Sequence, residues 1–214
     1  MHNFSYVSQK EASPYKAEVS ELIKAVQKEV KKHFTFQSKF VGSSSRNMIT
    51  CERNRNIGYD LDVNIEPNAP KGKYSAETIR KIIFDAFQKN MKNFGYSKIE
   101  NSTSVITIKA VDRKNSKIVH SCDLAIVYHC DDGRQQYIRY YKGYQHPFRW
   151  VFRDKEYYIG DKLKWIKGKR LTQKLRDRYL LYKNRNNDPE KHSRTIFAET
   201  VNDLFNEYRH KNRR

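Results

Sequence analysis

Two strings ten residues apart decide the reading: VGSSSRN at residues 41–47 and GYDLDVNI at residues 58–65. In the second, Leu61, Val63 and Ile65 alternate with Asp60, Asp62 and Asn64. That period of two belongs to a β-strand with one apolar and one polar face. Asp60 and Asp62 then leave the strand on the same side, about 7 Å apart along the chain. Two like charges are not buried unpaired, so that face is wet or filled by a cation. Pro67 and Pro70 are expected to end the strand. A D-x-D pair alone is most often a strand's solvent face. The Gly-Ser turn upstream adds to it, because its free N–H groups and hydroxyls form a place to hold phosphate.

A third carboxylate lies downstream. Asp123 interrupts the apolar run SCDLAIVYH at residues 121–129 and shares a strand face with Ser121, Ala125 and Val127. A charge in mid-strand needs a partner, and a metal ion would supply one. Three carboxylates suit Mg²⁺ or Mn²⁺ better than Zn²⁺. Two such ions about 4 Å apart can activate a hydroxyl and stabilise a pyrophosphate leaving group. His120, Cys122, His129 and Cys130 are close in sequence, but their spacing fits no familiar zinc pattern. His120 and Cys122 fall on the apolar face of the strand and read as core.

Around these motifs the chain alternates helical and strand periods. Ser13-Pro14 is read as the start of a first helix, with Val19, Leu22, Ile23, Val26 and Val30 on its buried face. Residues 36–41 are expected to form a short strand, and residues 48–57, with Arg53 and Arg55, an irregular polar loop. Ser75 is read as the cap of a second helix that Gly95 ends. Strands are expected at 96–101, 104–111, 117–130 and 135–141. From Tyr144 the composition turns basic and aromatic, and helices are expected at 171–183 and 193–208. The order predicts an α+β fold, a mixed or antiparallel sheet with flanking helices, followed by a helical part. The division expected is residues 1–143 as a core and 144–214 as the basic aromatic segment with C-terminal helices.

The strings VGSSSRN and GYDLDVNI, followed by the strand with a lone Asp, resemble the DNA polymerase β-like nucleotidyltransferase superfamily. The closest likeness is to its oligoadenylate synthetase and cyclic-dinucleotide synthase branch. The resemblance implies that Gly42 and Ser43 hold the triphosphate of an NTP donor. It implies that Asp60, Asp62 and Asp123 are catalytic and bind the metals, with Asp123 also helping to deprotonate an acceptor hydroxyl. The C-terminal stretch at residues 175–205 is similar, more loosely, to the helical half of that branch. There a Lys late in one helix and a Ser opening the next contact the triphosphate, which points to Lys183 and Ser193. Read without the resemblance, Ser193 is a helix N-cap and Lys183 a solvated surface lysine. The interval from Ser43 to Asp60 is longer than that branch's compact spacing, and the chain is short for a cyclic-dinucleotide synthase.

Charge sets the choice of partner. The 214 residues carry 43 Lys and Arg against 24 Asp and Glu, a formal +19, with 13% aromatics. Such a balance points to polyanions. Residues 134–170 hold eleven Lys or Arg against three acids, interleaved with Trp and Tyr. Basic side chains hold phosphates and aromatic faces stack on unpaired bases, so Arg149, Arg153, Lys164 and Lys169 are candidate nucleic-acid contacts. The tail YRHKNRR at 208–214 reads as a charged terminus. Three cysteines are too few for a disulfide framework and fit a reducing cytoplasm. No apolar run approaches a membrane span, and no signal peptide is read at the N-terminus. The sequence therefore points to an enzyme moving an NMP from an NTP to an acceptor hydroxyl with release of pyrophosphate, the acceptor being RNA, perhaps tRNA. A second nucleotide, giving a cyclic or linear oligonucleotide signal, is the alternative acceptor; a protein acceptor stays open, and a cationic drug would want an acidic cleft instead. From another class, a non-catalytic nucleic-acid-binding module would use the basic surface alone.

Overall fold

The structure is a computed structural model that describes residues 2–211 except 53, 54, 56, 57, 71 and 155–158. Arg53, Lys155, Tyr157, Tyr158 and the last three residues of the basic tail lie outside the described residues. Two compact units emerge: residues 6–51 with 55–153, and Asp154 onwards with residues 2–5 and Glu52. The division after Arg153 lies later than the boundary at 143/144 expected from composition, because residues 148–152 pair into the first unit's sheet.

In chain order the elements are β1 (Phe4–Tyr6), α1 (Gln9–Val30), β2 (Thr35–Phe40), α2 (Gly42–Arg46), β3 (Thr50–Glu52), β4 (Tyr59–Asn68) and α3 (Ala76–Asn90). A 3₁₀ turn (Met91–Phe94) leads to β5 (Lys98–Asn101), β6 (Ile106–Asp112), β7 (Lys117–His129), β8 (Gln135–Tyr140) and β9 (Phe148–Phe152). Then follow α4 (Gly160–Gly168), α5 (Thr172–Arg185) and α6 (Ser193–Lys211).

The large unit is built on a seven-stranded mixed sheet. Its main path runs β2-β4-β7-β6-β5, with β8 paired to the far end of β7 and β9 to β8. Only β4 and β7 run parallel; the other pairs are antiparallel. The alternation read in the sequence sets the layers. Leu61, Val63 and Ile65 of β4 and Cys122, Leu124 and Ile126 of β7 are buried on one face. They pack into a common core with Val19, Leu22, Ile23 and Val26 of α1 and Ile79, Ile83 and Phe87 of α3. The opposite face of β4 and β7 carries the acids. In the small unit, Ile166, Leu175, Tyr179, Ile196, Val201 and Leu204 are buried, and Trp165 meets Phe205 edge-on at 5.0 Å between ring centroids.

Several expected boundaries move. Helix α1 starts at Gln9, with Ser8 as N-cap accepting from the Glu11 amide at 3.1 Å, and Pro14 lies inside it. Ser8 and Glu11 have the capping-box spacing, which satisfies the helix start before Pro14 is reached. The GSSSR turn winds into one short helix, with Asn47 left-handed at its end (φ 56°). Strand β4 continues through Pro67 to Asn68, because β2 still pairs with it there. Strand β9 and helix α4 lie in the basic aromatic segment, for which the sequence reading named no element before residue 171.

Candidate active site

Strand β4 holds Asp60 and Asp62 on its polar face, and the parallel register with β7 sets Asp62 directly opposite Asp123 and Asp60 opposite Ser121. Adjacent strands lie about 4.8 Å apart, so the three acids occupy neighbouring positions on one patch of sheet. Each carboxylate has a hydroxyl partner. Ser121 donates to Asp60. Thr107, directly across from Asp123 on β6, donates to it at 2.6 Å. Ser43 reaches the Asp62 Oδ2 at 3.4 Å.

The Gly-Ser turn closes over Asp62 for a backbone reason. The Val41 amide donates to the Asp62 carbonyl at 2.9 Å, and the Asp62 amide donates to the buried Ser44 hydroxyl at 2.9 Å. Gly42 takes φ +58°, and a Cβ placed there would lie 2.8 Å from Asp62 Oδ2. A side chain there would strain the left-handed backbone and crowd the Asp62 carboxylate, so glycine is favoured. Lys16 of α1 donates to the Ser44 carbonyl at 2.6 Å and fixes the turn from behind.

Burial and mutual repulsion act together on the acids. The Asp62 carboxyl is pushed up to about 6, first by burial, then by the charges of Asp123 and Asp60, against the pull of Ser43 and Arg46. The Asp123 carboxyl is raised as well, by burial, while the Thr107 hydrogen bond opposes the rise. Groups so arranged are held in a state that a cation would relieve. Among the described residues, no three His, Cys, Asp or Glu side chains are gathered as a ready-made metal cluster. The reason is visible in the partners: Asp60 is turned to Ser121, Asp123 to Thr107 and Asp62 to Ser43. The patch nonetheless fits a hard divalent cation in donor chemistry, three carboxylates and hydroxyls, and in its unrelieved negative charge.

The remaining sequence candidates separate. Lys183, in the last turn of α5, and Ser193, the first residue of α6, belong to the small unit. The Lys183 ammonium lies 4.3 Å from the Phe4 ring centroid, and next to it Asn184 exchanges two hydrogen bonds with the Phe4 backbone. Ser193 is exposed, and the first helical bond of α6 goes to the His192 carbonyl, so Ser193 stands one place inside the cap. Arg149 on β9 and Arg153 belong to the large unit, Lys164 and Lys169 to the small one. The basic aromatic segment is therefore divided between two bodies. The zinc alternative fails on burial: His120 and Cys122 are in the core, burial pushes the Cys122 thiol well up, and His129 is paired with Glu66 at 2.9 Å. Sequence reasoning missed Ser121 and Thr107, because only the strand register brings them to the acids. Ser121 had been seen on the Asp123 face, which was the one available signal.

No protein-family model matches the sequence, and no curated protein matches it. Solved structures do. The GTP-bound form of Vibrio cholerae DncV is 18% identical, with a TM-score of 0.58 over 92% of this chain and 52% of that one. DncV cyclic AMP-GMP synthase, a prokaryotic cGAS homolog, is 14% identical, with a TM-score of 0.60 over 92% of this chain and 67% of that one. The same synthase with the linear intermediate 5′ pppA(3′,5′)pG gives 15% identity and a TM-score of 0.59. The chain spans about half the length of the GTP-bound DncV chain. At these identities the likeness is one of fold: this chain has the polymerase β-like nucleotidyltransferase fold of DncV.

Proposed function

We propose that the protein is a metal-dependent nucleotidyltransferase that moves an NMP from an NTP to an acceptor hydroxyl and releases pyrophosphate. The observation that carries this reading is the parallel register of β4 and β7, with Asp62 opposite Asp123 and Asp60 two residues away, beneath a turn in which Gly42 is left-handed against Asp62. Asp60, Asp62 and Asp123 would hold Mg²⁺ (or Mn²⁺). When bound, the ion supplies charge neutralisation at the phosphates and lowers the pKa of the attacking hydroxyl. Ser43 donates to a phosphate oxygen of the donor. Asp123 accepts the proton of the acceptor hydroxyl as its oxygen bonds to the α-phosphorus. The bond from that phosphorus to the bridging oxygen breaks, and pyrophosphate leaves. Lys183 and Ser193 are proposed as further triphosphate contacts.

The acceptor we propose is the hydroxyl of a second nucleotide, supported by the fold shared with a cyclic AMP-GMP synthase. An RNA hydroxyl is the second reading, favoured by the net charge of +19. Both require solution chemistry within reach of the protein; no described helix is long and apolar enough to cross a membrane. The test is incubation with each labelled NTP, with and without total RNA. Label in soluble oligonucleotides supports the nucleotide acceptor, and label in RNA supports the second reading.

A further inference from the structure

We infer that the outer face of the β8–β9 hairpin is a docking surface for single-stranded nucleic acid. The inference names a partner for the site proposed above and rests on that reading only for its biological use.

Val127 of β7 lies opposite Tyr137 of β8, Tyr137 opposite Val151 of β9, and Arg139 opposite Arg149. Side chains alternate along a strand and cross-strand partners share a face. Asp123, Val127, Tyr137, Arg139 and Arg149 therefore point to one side of the sheet; Val127 is fully buried there, and Arg139 and Arg149 are the exposed members. The other side of the hairpin is occupied: Ile138 is fully buried and Trp150 packs on the core.

The composition of that face is one-sided. From Arg134 to Arg153 the sequence holds Arg134, Arg139, Lys142, Arg149 and Arg153 and no Asp or Glu. Arg139 and Arg149, directly opposite each other in the antiparallel pair, set two guanidinium groups within reach of one phosphate. Guanidinium groups also lie over rings: Arg149 over Tyr144 at 4.0 Å, Arg139 over Tyr141 at 5.6 Å and Arg153 over Tyr137 at 5.7 Å. Tyr144 is 52% exposed. Rings held on one side by a cation offer the other to a base. Alternating cations and open rings match the repeat of an unpaired strand, phosphate then base. An acidic peptide would use the charges and leave the rings idle, and in a duplex the bases are already stacked.

The experiment is fluorescence anisotropy with a labelled uridine 20-mer, without NTP or divalent cation. A 20-base-pair RNA duplex and polyglutamate serve as competitors. The single strand is expected to bind most tightly. Its affinity should fall with salt at a slope of about −0.7 per phosphate contacted, or roughly −3 for four contacts. Arg139→Glu with Arg149→Glu should weaken binding at least about tenfold and flatten the slope. Arg139→Gln with Arg149→Gln should weaken it less, with the fold checked by thermal melting. Tyr137→Ala with Tyr144→Ala should lower affinity at an unchanged slope. Tighter binding of the duplex, equal competition by polyglutamate, or unaltered binding by the folded arginine variants would overturn the surface. Because no turnover is read, failure here leaves the transferase reading standing, and failure of transfer leaves this surface standing.

Discussion

Asp62 is the residue where fold and chemistry conflict most directly. Its carboxyl is raised to about 6 by burial and by its two acidic neighbours. A carboxyl with a folded-state pKa above its ordinary value prefers to be protonated in the native state. In the cation-free protein it therefore costs stability above pH 6, a cost that disappears as pH falls toward 4. Asp62→Asn should raise the melting temperature in EDTA at pH 7.5, by an equivalent of about 2 kcal/mol. The gain should vanish near pH 4, as thermal melts at the two pH values would read. Added Mg²⁺ should stabilise the wild type and do so less for the variant. Ser43→Ala removes one hydrogen bond to a charged group, about 1.5–3 kcal/mol, so NTP affinity by titration calorimetry should fall roughly 10- to 100-fold. The D-x-D pair was legible as the polar half of a period-two alternation, and the lone Asp123 because it interrupts an apolar run. Ser121 and Thr107 were not legible as their partners, since a hydroxyl on a strand carries no sign of what lies opposite until the register is known.

At the scale of elements, β4 was readable residue by residue, because one buried and one wet face leave a period of two. Helix α2 was not: GSSSR has poor helix formers, and tertiary bonds from Asp62 and Lys16 wind it. Strand β9 hid in FRWVF, where Arg149 and the aromatics blur the alternation. Glycine 58 marks another constraint, at φ +64° with the backbone of β7 so close that a Cβ would lie 2.5 Å from the Val119 carbonyl oxygen. Gly58→Ala should push β4 away from β7 at the level of the acids and destabilise the protein by at least about 1–2 kcal/mol, measured by urea unfolding. Arg80 joins three elements. Buried in α3, it donates to Asn101, Ser102 and Val105 at 2.6–2.8 Å around the β5–β6 turn and lies 4.7 Å from the Phe148 ring of β9. Arg80→Ala removes three hydrogen bonds from a charged donor, while the Val105 carbonyl keeps the Ser102 amide at 3.0 Å, so a loss of about 3 kcal/mol is expected in the same assay.

For the whole molecule, the formal charge of +19 stands beside a nucleotidyltransferase fold. The charge was legible from composition; its division between two units was not, because the change from β9 to helices comes ten residues after the change in composition. The small unit's placement of Lys183 beside Phe4 joins residues some 180 apart in sequence, which no local pattern announces. The central claim is that the acids of β4 and β7 carry out nucleotidyl transfer. Pyrophosphate release from each NTP, measured with Mg²⁺ or Mn²⁺ and with and without RNA, tests it most directly. The account predicts release that requires the cation and is abolished by Asp60→Asn in a protein that remains folded. Wild-type protein that releases none under any of these conditions, or an Asp60→Asn variant as active as wild type, would contradict it.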